Sequence, residues 1–416
     1  MKTPRASRLA AVITICVSGA LGLSACGSGF ASPSANESSD AGSGPISVLI
    51  ASSGDAEATA VKAAVADWSK TSGTEASVNV ASDLIQQLSQ GFASGKPADV
   101  FYLSPDQLSG YASNGSLEPY ADSLANKGDF QPSLTRAFTF DGKFYCAPKD
   151  SSTLSLVINN DLWQAAGLTD ADIPATWDEL EATAKKLTSG NTVGLSFSPE
   201  VARVAAFFPQ AGGSLLSSDG KTATVNSTEN VKALTFVKKM LTDGSAKFSS
   251  DLGAGWGGEA FGKQLSAMTI EGNWISGALS KDFPSIKYRT VELPAGPKGK
   301  GTLQFTNCWG IAADSKNKPA AKALVEQLTG TQTQMTFAKA FGVMPSVISA
   351  ESEFRKEFPE QEASIAGVEY AQTLPSQPGA ADVLKDFNAK LATLQTSDPK
   401  AILDAIQAEM TATLSK

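Results

Sequence analysis

Two aspartates follow short apolar runs at positions where they could bind a polar solute. Asp55 follows the run at 47–51 in a Ser-Ser-Gly-Asp turn, and Asp106 follows the run at 99–103 in a Ser-Pro-Asp turn. A carboxylate accepts hydrogen bonds from hydroxyl groups, so both residues are candidate ligand contacts. Asp, Ser and Pro are also common where helices begin, and simple helix capping would explain both turns equally well.

A tryptophan set among glycines is a third candidate. Trp256 lies in the stretch 251–259, DLGAGWGGE, which contains four glycines. Because so little local structure surrounds the indole, we expect either a platform for a ligand or a mobile loop. The glycine spacing does not indicate a phosphate-binding loop, since no predicted strand precedes it and no Gly-Lys-Ser/Thr follows.

The composition excludes several kinds of chemistry. The chain has no histidine, which excludes Ser-His-Asp catalysis, Cys-His catalysis and the HExxH zinc site. Its net charge is −8, without a basic stripe, which argues against nucleic-acid binding. Carboxylate-pair hydrolysis, lysine chemistry and calcium sites remain open, so a secreted glycoside hydrolase using Asp55 and Asp106 is the alternative from the enzyme class. We assign no catalytic residue, metal or cofactor.

The amino-terminal 45 residues are typical of an exported lipoprotein. Residues 1–8 carry three positive charges, and the apolar run 9–23 is shorter than the roughly 20 residues that span a membrane. The sequence Leu-Ser-Ala-Cys at 23–26 resembles the bacterial lipobox, so we predict a signal peptide over 1–25 and lipidation of Cys26. Residues 26–45, rich in Ser, Gly and Ala, are predicted to form a flexible linker. An uncleaved anchor or an ordinary cleavage site with an incidental cysteine are the alternatives.

The remaining cysteines form an even pair. Cys16 would leave with the leader and Cys26 would carry lipid, which leaves Cys146 and Cys308. In an oxidising compartment such a pair usually forms a disulfide. Two buried free thiols are the alternative.

Alternating strands and helices position the two aspartates. Short apolar runs at 47–51, 78–80 and 99–103 are each followed by a helical pattern, which predicts a mostly parallel sheet flanked by helices. Ligands of such sheets collect at the carboxyl ends of the strands, where Asp55 and Asp106 lie. A length of 416 residues is enough for two units of this kind.

Several longer segments carry a family resemblance. They are FASGKPADVFYLSPDQLSGYASNGSLEPY at 92–120, FDGKFYCAPKDSSTLSLVINNDLWQAAGL at 140–168, PATWDELEATAKKL at 174–187, SAMTIEGNWISGAL at 266–279 and NCWGIAADSKNKPAAKALVEQLTG at 307–330. With their order and spacing, the chain resembles the extracellular solute-binding proteins of carbohydrate-uptake ABC importers, the family that contains the maltose-binding protein.

This resemblance implies an α/β fold of the two-lobed periplasmic-binding-protein type II. Each lobe is expected to be a mostly parallel sheet flanked by helices, and hinge strands within 141–161 and 304–312 are expected to cross between the lobes side by side. A bond between Cys146 and Cys308 would then join the crossing strands. The implied domain ranges are 46–148 with 308–350 for the N-terminal lobe and 149–307 with 351–416 for the C-terminal lobe.

The resemblance also implies a function. Trp274 lies in a Glu-Gly-Asn-Trp turn that matches the family's turn, whose aromatic residue commonly stacks on a sugar ring. The expected ligand contacts are therefore Asp55, Asp106, Trp256 and Trp274. The expected protein is a monomeric, lipid-anchored receptor on the outer face of a bacterial cell membrane, which delivers a sugar or oligosaccharide to ABC permease subunits. A polyamine or another small solute is the alternative ligand, and a surface scaffold with an emptied cleft is the remaining possibility.

Overall fold

The computed structural model describes residues 44–52 and 54–415, and the statements below refer to these residues. The predicted signal peptide, Cys26 and nearly all of the predicted linker lie outside them. The strands are β1 (Ile46–Ile50), β2 (Ala76–Val80), β3 (Val100–Leu103), β4 (Thr139–Phe140), β5 (Lys143–Phe144), β6 (Ala147–Pro148), β7 (Ser152–Asn159), β8 (Val193–Phe197), β9 (Ala246–Phe248), β10 (Ser266–Gly272), β11 (Tyr288–Val291), β12 (Thr302–Phe305), β13 (Cys308–Ile311) and β14 (Ala371–Gln372). The α-helices are α1 (Asp55–Ser72), α2 (Leu84–Ala93), α3 (Pro105–Ser113), α4 (Pro132–Ala137), α5 (Asn160–Ala165), α6 (Trp177–Leu187), α7 (Val201–Val204), α8 (Phe207–Ala211), α9 (Thr228–Thr242), α10 (Gly257–Gly262), α11 (Ile275–Asp282), α12 (Lys318–Leu328), α13 (Thr331–Phe341), α14 (Glu351–Glu357), α15 (Glu362–Gly367), α16 (Ala380–Leu391) and α17 (Pro399–Leu414).

The sheet of the first lobe has the strand order β2-β1-β3-β13-β6. Strand β1 pairs in parallel with β2 and β3, as expected for strands joined by helices. Strand β13 runs antiparallel to β3 and β6, because it enters this sheet from the second lobe. The helices α1 and α3 begin directly beyond the carboxyl ends of β1 and β3, and so carry Asp55 and Asp106 at one edge of the sheet.

The sheet of the second lobe has the order β14-β12-β7-β10-β8-β9, and β11 also pairs with β7. Strand β8 is parallel to β9 and β10, whereas β7 is antiparallel to β10, β11 and β12. Every residue of β7 is buried, as expected for a strand covered on both faces. Both sheets are therefore mixed, with parallel pairs between strands that helices connect.

Two segments pass between the lobes. The first contains β6 in the first sheet and β7 in the second, and the return segment contains β12 in the second sheet and β13 in the first. Between the sheets, the Lys149 N–H donates to the Asn307 carbonyl at 2.6 Å and the Thr306 hydroxyl donates to the Asp150 carbonyl at 2.7 Å. The crossing segments therefore lie side by side, as the resemblance implies.

Each lobe has its own apolar core. Helix α1 buries Val61, Val65 and Trp68 at i, i+4, i+7 spacing, and these pack in the core of the first lobe. That core also includes Phe354 and Ile365, which lie beyond the predicted domain boundary at residue 350. The second core contains most of the buried residues between 154 and 303, together with the inner faces of α16 and α17.

The described part of the chain offers no span for a membrane, since none of its helices combines sufficient length with sufficient hydropathy.

Candidate ligand-binding site at the lobe junction

Asp55 lies where the first lobe meets the second. It is the first residue of α1, and its carboxylate lies 2.5 Å from the Lys281 ammonium, which belongs to α11 of the second lobe. The hydrogen bond and the positive charge of Lys281 lower the pKa of Asp55. Gly54 occupies the position before the helix, so the Asp55 side chain does not act as the N-cap. Its carboxylate instead reaches across to the opposite lobe.

Asp106 lies in the first turn of α3, after the N-cap residue Ser104. Within the described residues its partly buried carboxylate has no hydrogen-bond or ion-pair partner among protein groups. The same helix contacts the second lobe, because the Ser109 hydroxyl donates to the Ser376 carbonyl at 2.7 Å. Asp106 is therefore an available acceptor on a helix that faces the other lobe.

Trp274 immediately precedes α11 and is partly buried. Its indole N–H donates to Glu271 Oε2 at 3.1 Å, and the ring of Phe305 meets it edge-on with 5.6 Å between ring centres. The Arg203 guanidinium carbon lies 5.2 Å from the centre of the Trp274 ring. The ring is therefore held by three neighbouring side chains before any ligand is present.

Glu271 and Arg203 are residues of this site that the sequence analysis did not identify. Glu271, in β10, is fully buried and accepts from Arg203 Nη2 at 2.8 Å and from Arg203 Nε at 3.2 Å. Burial raises the pKa of Glu271, although the Arg203 charge and the hydrogen bonds oppose that shift. A glutamate three residues before Trp274, in a strand without another charged residue, was an available signal. No feature of the sequence indicated the pairing of Glu271 with Arg203, which lies 68 residues earlier in the chain.

Trp256 has a different environment. It precedes α10, and its ring packs against a small apolar cluster formed by Val157, Phe261, Ile275 and Leu279. A Cβ at Gly258 would lie 2.1 Å from a ring carbon of Trp256, so glycine at 258 leaves the space that this ring occupies. In the described structure no hydrogen bond or ring contact joins Trp256 to the other three candidates, and its ligand role stays a prediction.

A buried ion cluster lies behind Asp55. The Lys149 ammonium, at the crossing point, lies 2.9 Å from Glu57 Oε1 and in contact with the Asp150 carboxylate. It also lies 4.7 Å from the ring centre of Tyr102 and 5.2 Å from that of Phe341. The Lys149 cluster therefore connects α1, β3, α13 and the crossing segment of the first lobe. No group of three or more acidic or cysteine side chains suited to a metal ion occurs in the described ranges.

The two crossing cysteines are joined in the structure. Cys146 and Cys308 form a disulfide with a Cα–Cα distance of 5.6 Å, and both are buried. The bond lies in the core of the first lobe, beside the pairing of β6 with β13.

The cavities do not coincide with the four candidates. A shallow cavity of about 580 Å³ lies on the first lobe between β1, β2 and α2, and its polar lining includes Asn79, Gln87 and Gln90. A second cavity, of about 10 Å³, lies in the second lobe beside Glu271 and Asn273 and has room for about one water molecule. Neither of these two cavities is bordered by Asp55, Asp106, Trp256 or Trp274, although Glu271 borders the second.

The chain belongs to the family described as bacterial extracellular solute-binding protein. The model of that family matches residues 51–335, which is more than half of the chain. This is a family of binding proteins rather than enzymes, and its members are located outside the cytoplasm. The family prediction from the sequence is confirmed.

Relatives and solved structures agree with this assignment. A putative binding protein of Brucella abortus (strain 2308) is 26% identical over 351 residues, covering 80% of this chain and 84% of that protein. The diacetylchitobiose-binding protein DasA of Streptomyces coelicolor is 27% identical over 313 residues, covering 73% of each chain. An ABC substrate-binding protein of Listeria monocytogenes, solved in complex with cycloalternan, has a TM-score of 0.81 at 23% identity, covering 89% of this chain and 99% of that one. The predicted two-lobed α/β fold is thereby confirmed.

Proposed function

We propose that this protein is the receptor of an ABC importer, and that it binds a sugar or oligosaccharide between its lobes. The observation that carries this proposal is the contact at which the Asp55 carboxylate of the first lobe pairs with the Lys281 ammonium of the second. We infer that Asp106 of the first lobe and Trp274 of the second contribute to the same site, because α3 and α11 also contact the opposite lobe. The similarity to a protein named for diacetylchitobiose and to one solved in complex with cycloalternan supports a carbohydrate ligand.

The residue types suit a carbohydrate. An aromatic ring packs against the C–H face of a sugar, while carboxylates accept hydrogen bonds from the hydroxyl groups at its rim. Because these groups belong to different lobes, a ligand that contacts both favours the closed arrangement. Asp55 would exchange its bond with Lys281 for ligand hydroxyl groups, and Asp106 would gain a partner.

We further propose that the protein is lipid-anchored. The lipobox at 23–26 supports cleavage before Cys26, lipidation of that residue and attachment to the outer face of the cell membrane through the 26–45 linker. The receptor is proposed to act as a monomer that delivers its ligand to permease subunits. Mass spectrometry of the membrane-extracted protein checks the anchor, because an amino terminus other than lipidated Cys26 would contradict it.

A thermal-shift panel tests the ligand class. The part of the chain that follows the predicted linker would be heated with N,N′-diacetylchitobiose, maltotriose or spermidine, since a ligand bound only by the folded state raises Tm. We expect a sugar to raise Tm and spermidine to have no effect. Stabilisation by spermidine alone would favour the polyamine alternative. Hydrolysis of a sugar that Asp106→Asn abolishes would favour the hydrolase.

Variants then test the site. For a sugar that raises Tm, Trp274→Ala is expected to weaken binding about tenfold or more, because it removes the aromatic contact. Asp106→Asn is expected to weaken binding less, since the amide retains one acceptor oxygen. Asp67→Asn, on the exposed far half of α1, is the control and should bind as the wild type does. Unchanged affinity in Trp274→Ala would exclude this residue from the site.

A further inference from the structure

We propose that Glu271 is a positioning residue, whose buried carboxylate holds the Trp274 indole and the Arg203 guanidinium together and so sets the orientation of the aromatic wall at the lobe junction. The consequence for sugar affinity rests on the function proposed above, whereas the orientation itself is a property of the ligand-free protein.

One oxygen of Glu271 accepts all the hydrogen bonds. Oε2 receives the Trp274 indole N–H at 3.1 Å, Arg203 Nη2 at 2.8 Å and Arg203 Nε at 3.2 Å. Bonds that include a charged partner are shorter and stronger than neutral ones, particularly where water is excluded. A single buried atom thus links the edge of the indole to a cation that lies over its ring.

The arrangement is poorly suited to stability alone. Glu271 is fully buried, yet its Oε1 has no hydrogen-bond partner within the described residues. A buried ion pair commonly stabilises a fold no better than apolar residues of equal volume. A Cβ at Gly257 would lie 2.7 Å from Oε1, so glycine at 257 leaves room for the carboxylate. The surroundings are therefore shaped to admit the carboxylate at this position.

The neighbours of Trp274 leave it little freedom. A Cβ at Gly272 would lie 2.2 Å from a carbon of the indole, so the ring fills the space that a side chain there would need. Arg203 has only weak contacts other than Glu271: the Ala202 carbonyl is 3.4 Å from Nη1 and the Glu200 carboxylate is 4.0 Å away. Glu271 is consequently the principal anchor for the cation that lies over the ring. A ring held in place before binding loses less conformational freedom when a ligand arrives.

The orientation is tested without a ligand by nuclear magnetic resonance of the tryptophan indole N–H groups. The chain has six tryptophans, and the resonance missing from Trp274→Phe identifies Trp274. Glu271→Leu removes the acceptor at similar volume, whereas Glu271→Gln keeps an acceptor oxygen but loses the charge. Glu409→Leu, at a partly exposed glutamate of α17, is the matched control.

We expect the Trp274 N–H resonance to move upfield in Glu271→Leu and its hydrogen exchange to accelerate about tenfold or more, because the bond to a charged acceptor is lost. Glu271→Gln should give a smaller change in the same direction, and Glu409→Leu should give none. If Glu271→Leu does not fold, Glu271→Gln decides alone, since loss of the charge must still move the resonance. An unchanged Trp274 resonance in the folded variant would overturn the proposal.

The second measurement is the affinity for whichever sugar of the thermal-shift panel stabilises the wild type. Glu271→Leu and Arg203→Met are each expected to weaken binding about tenfold, and the double variant little more than either, because the two residues act as one unit. Glu271→Gln should recover part of the affinity. Independent, additive losses would overturn the coupling. If no panel sugar binds the wild type, the proposed function fails, while the resonance of Trp274 still decides the role of Glu271.

Discussion

Each lobe contains a buried cation beside carboxylate and aromatic groups, Lys149 in the first and Arg203 in the second, but the two clusters differ in completeness. In the first lobe, Lys149 lies between Glu57 and Asp150 and over the rings of Tyr102 and Phe341. No atom of this first cluster appears among the buried side-chain atoms without a partner in the described residues. In the described part of the second lobe, Glu271 Oε2 accepts every hydrogen bond of the cluster and Glu271 Oε1 accepts none.

The difference separates a cluster that stabilises the fold from one that positions an aromatic side chain. The Lys149 cluster draws its members from α1, β3, the crossing segment and α13, so it joins the parts of the first lobe that meet at the hinge. Burial opposes the charged form of Lys149, but the two carboxylates outweigh it and raise the Lys149 pKa. The Arg203–Glu271 pair instead ends at the partly exposed Trp274. We infer that the Lys149 cluster stabilises the first lobe, whereas the Arg203–Glu271 pair positions the Trp274 ring.

Removal of the first cluster's cation should have the largest effect on stability. Lys149→Met leaves two carboxylates buried without their cation, so we expect the free energy of unfolding to fall by about 3–5 kcal/mol in urea titrations. Lys70→Met, which breaks an exposed ion pair with Asp67, is the control and should cost about 1 kcal/mol or less. If both variants lose the same free energy of unfolding, the buried Lys149 cluster stabilises the fold no more than a surface ion pair does.

Loss of the disulfide should come next. The bond closes a loop with a sequence separation of 162 between Cys146 and Cys308. Removing it in the double variant Cys146→Ala/Cys308→Ala is expected to cost about 2–4 kcal/mol, since the unfolded chain gains freedom. Unfolding of the wild type with and without reductant should show a similar difference. Free thiols at both positions in the secreted, non-reduced protein would contradict the bond and remove this constraint on the first lobe.

The smallest effect is expected in the second lobe and should depend on pH. Desolvation opposes ionisation of Asp243, but hydrogen bonds from Lys185 and from the Ser245 hydroxyl and N–H outweigh it and lower the pKa from 3.8 to about 2. Because the folded pKa lies below the unfolded one, the stabilisation is complete above pH of about 4 and is lost as the pH falls through about 2.

Asp243→Asn should therefore be less stable than the wild type at pH 6, with the difference vanishing near pH 2 in thermal unfolding. Lys185→Met should reduce the same pH dependence, because it removes one of the hydrogen bonds. A difference between Asp243→Asn and the wild type that is independent of pH would contradict the lowered pKa. It would also leave the second lobe without this acid-sensitive stabilisation at its surface.

Local patterns made much of the fold predictable. Thr176 and Glu179 have the spacing of a capping box, and both of its hydrogen bonds are present at the start of α6. Pro399 is the first residue of α17, a position where its missing N–H leaves no helical hydrogen bond unmade. A helix start with two adjacent capping candidates is less predictable: Ser82 and Asp83 both precede α2, and Asp83 is the N-cap that accepts from the Gln86 N–H.

The predicted return strand at 304–312 is two strands, β12 and β13, which belong to different sheets. Alternation along the chain shows which residues are extended, but it does not show where pairing passes from one sheet to another. The break at Thr306 and Asn307 depends on hydrogen bonds to the other crossing segment at Lys149 and Asp150.

The family, the alternation of strands and helices, and the acidic and aromatic candidates Asp55, Asp106, Trp256 and Trp274 were predictable from the sequence. Those features depend on composition and on spacings of a few residues. The contact of Lys281 with Asp55 across 226 residues of chain, and the joining of Arg203 to Trp274 by Glu271, became visible in the folded chain alone. Such pairings depend on how distant elements pack, and a buried charge acquires its partner only when the fold brings one within hydrogen-bond distance.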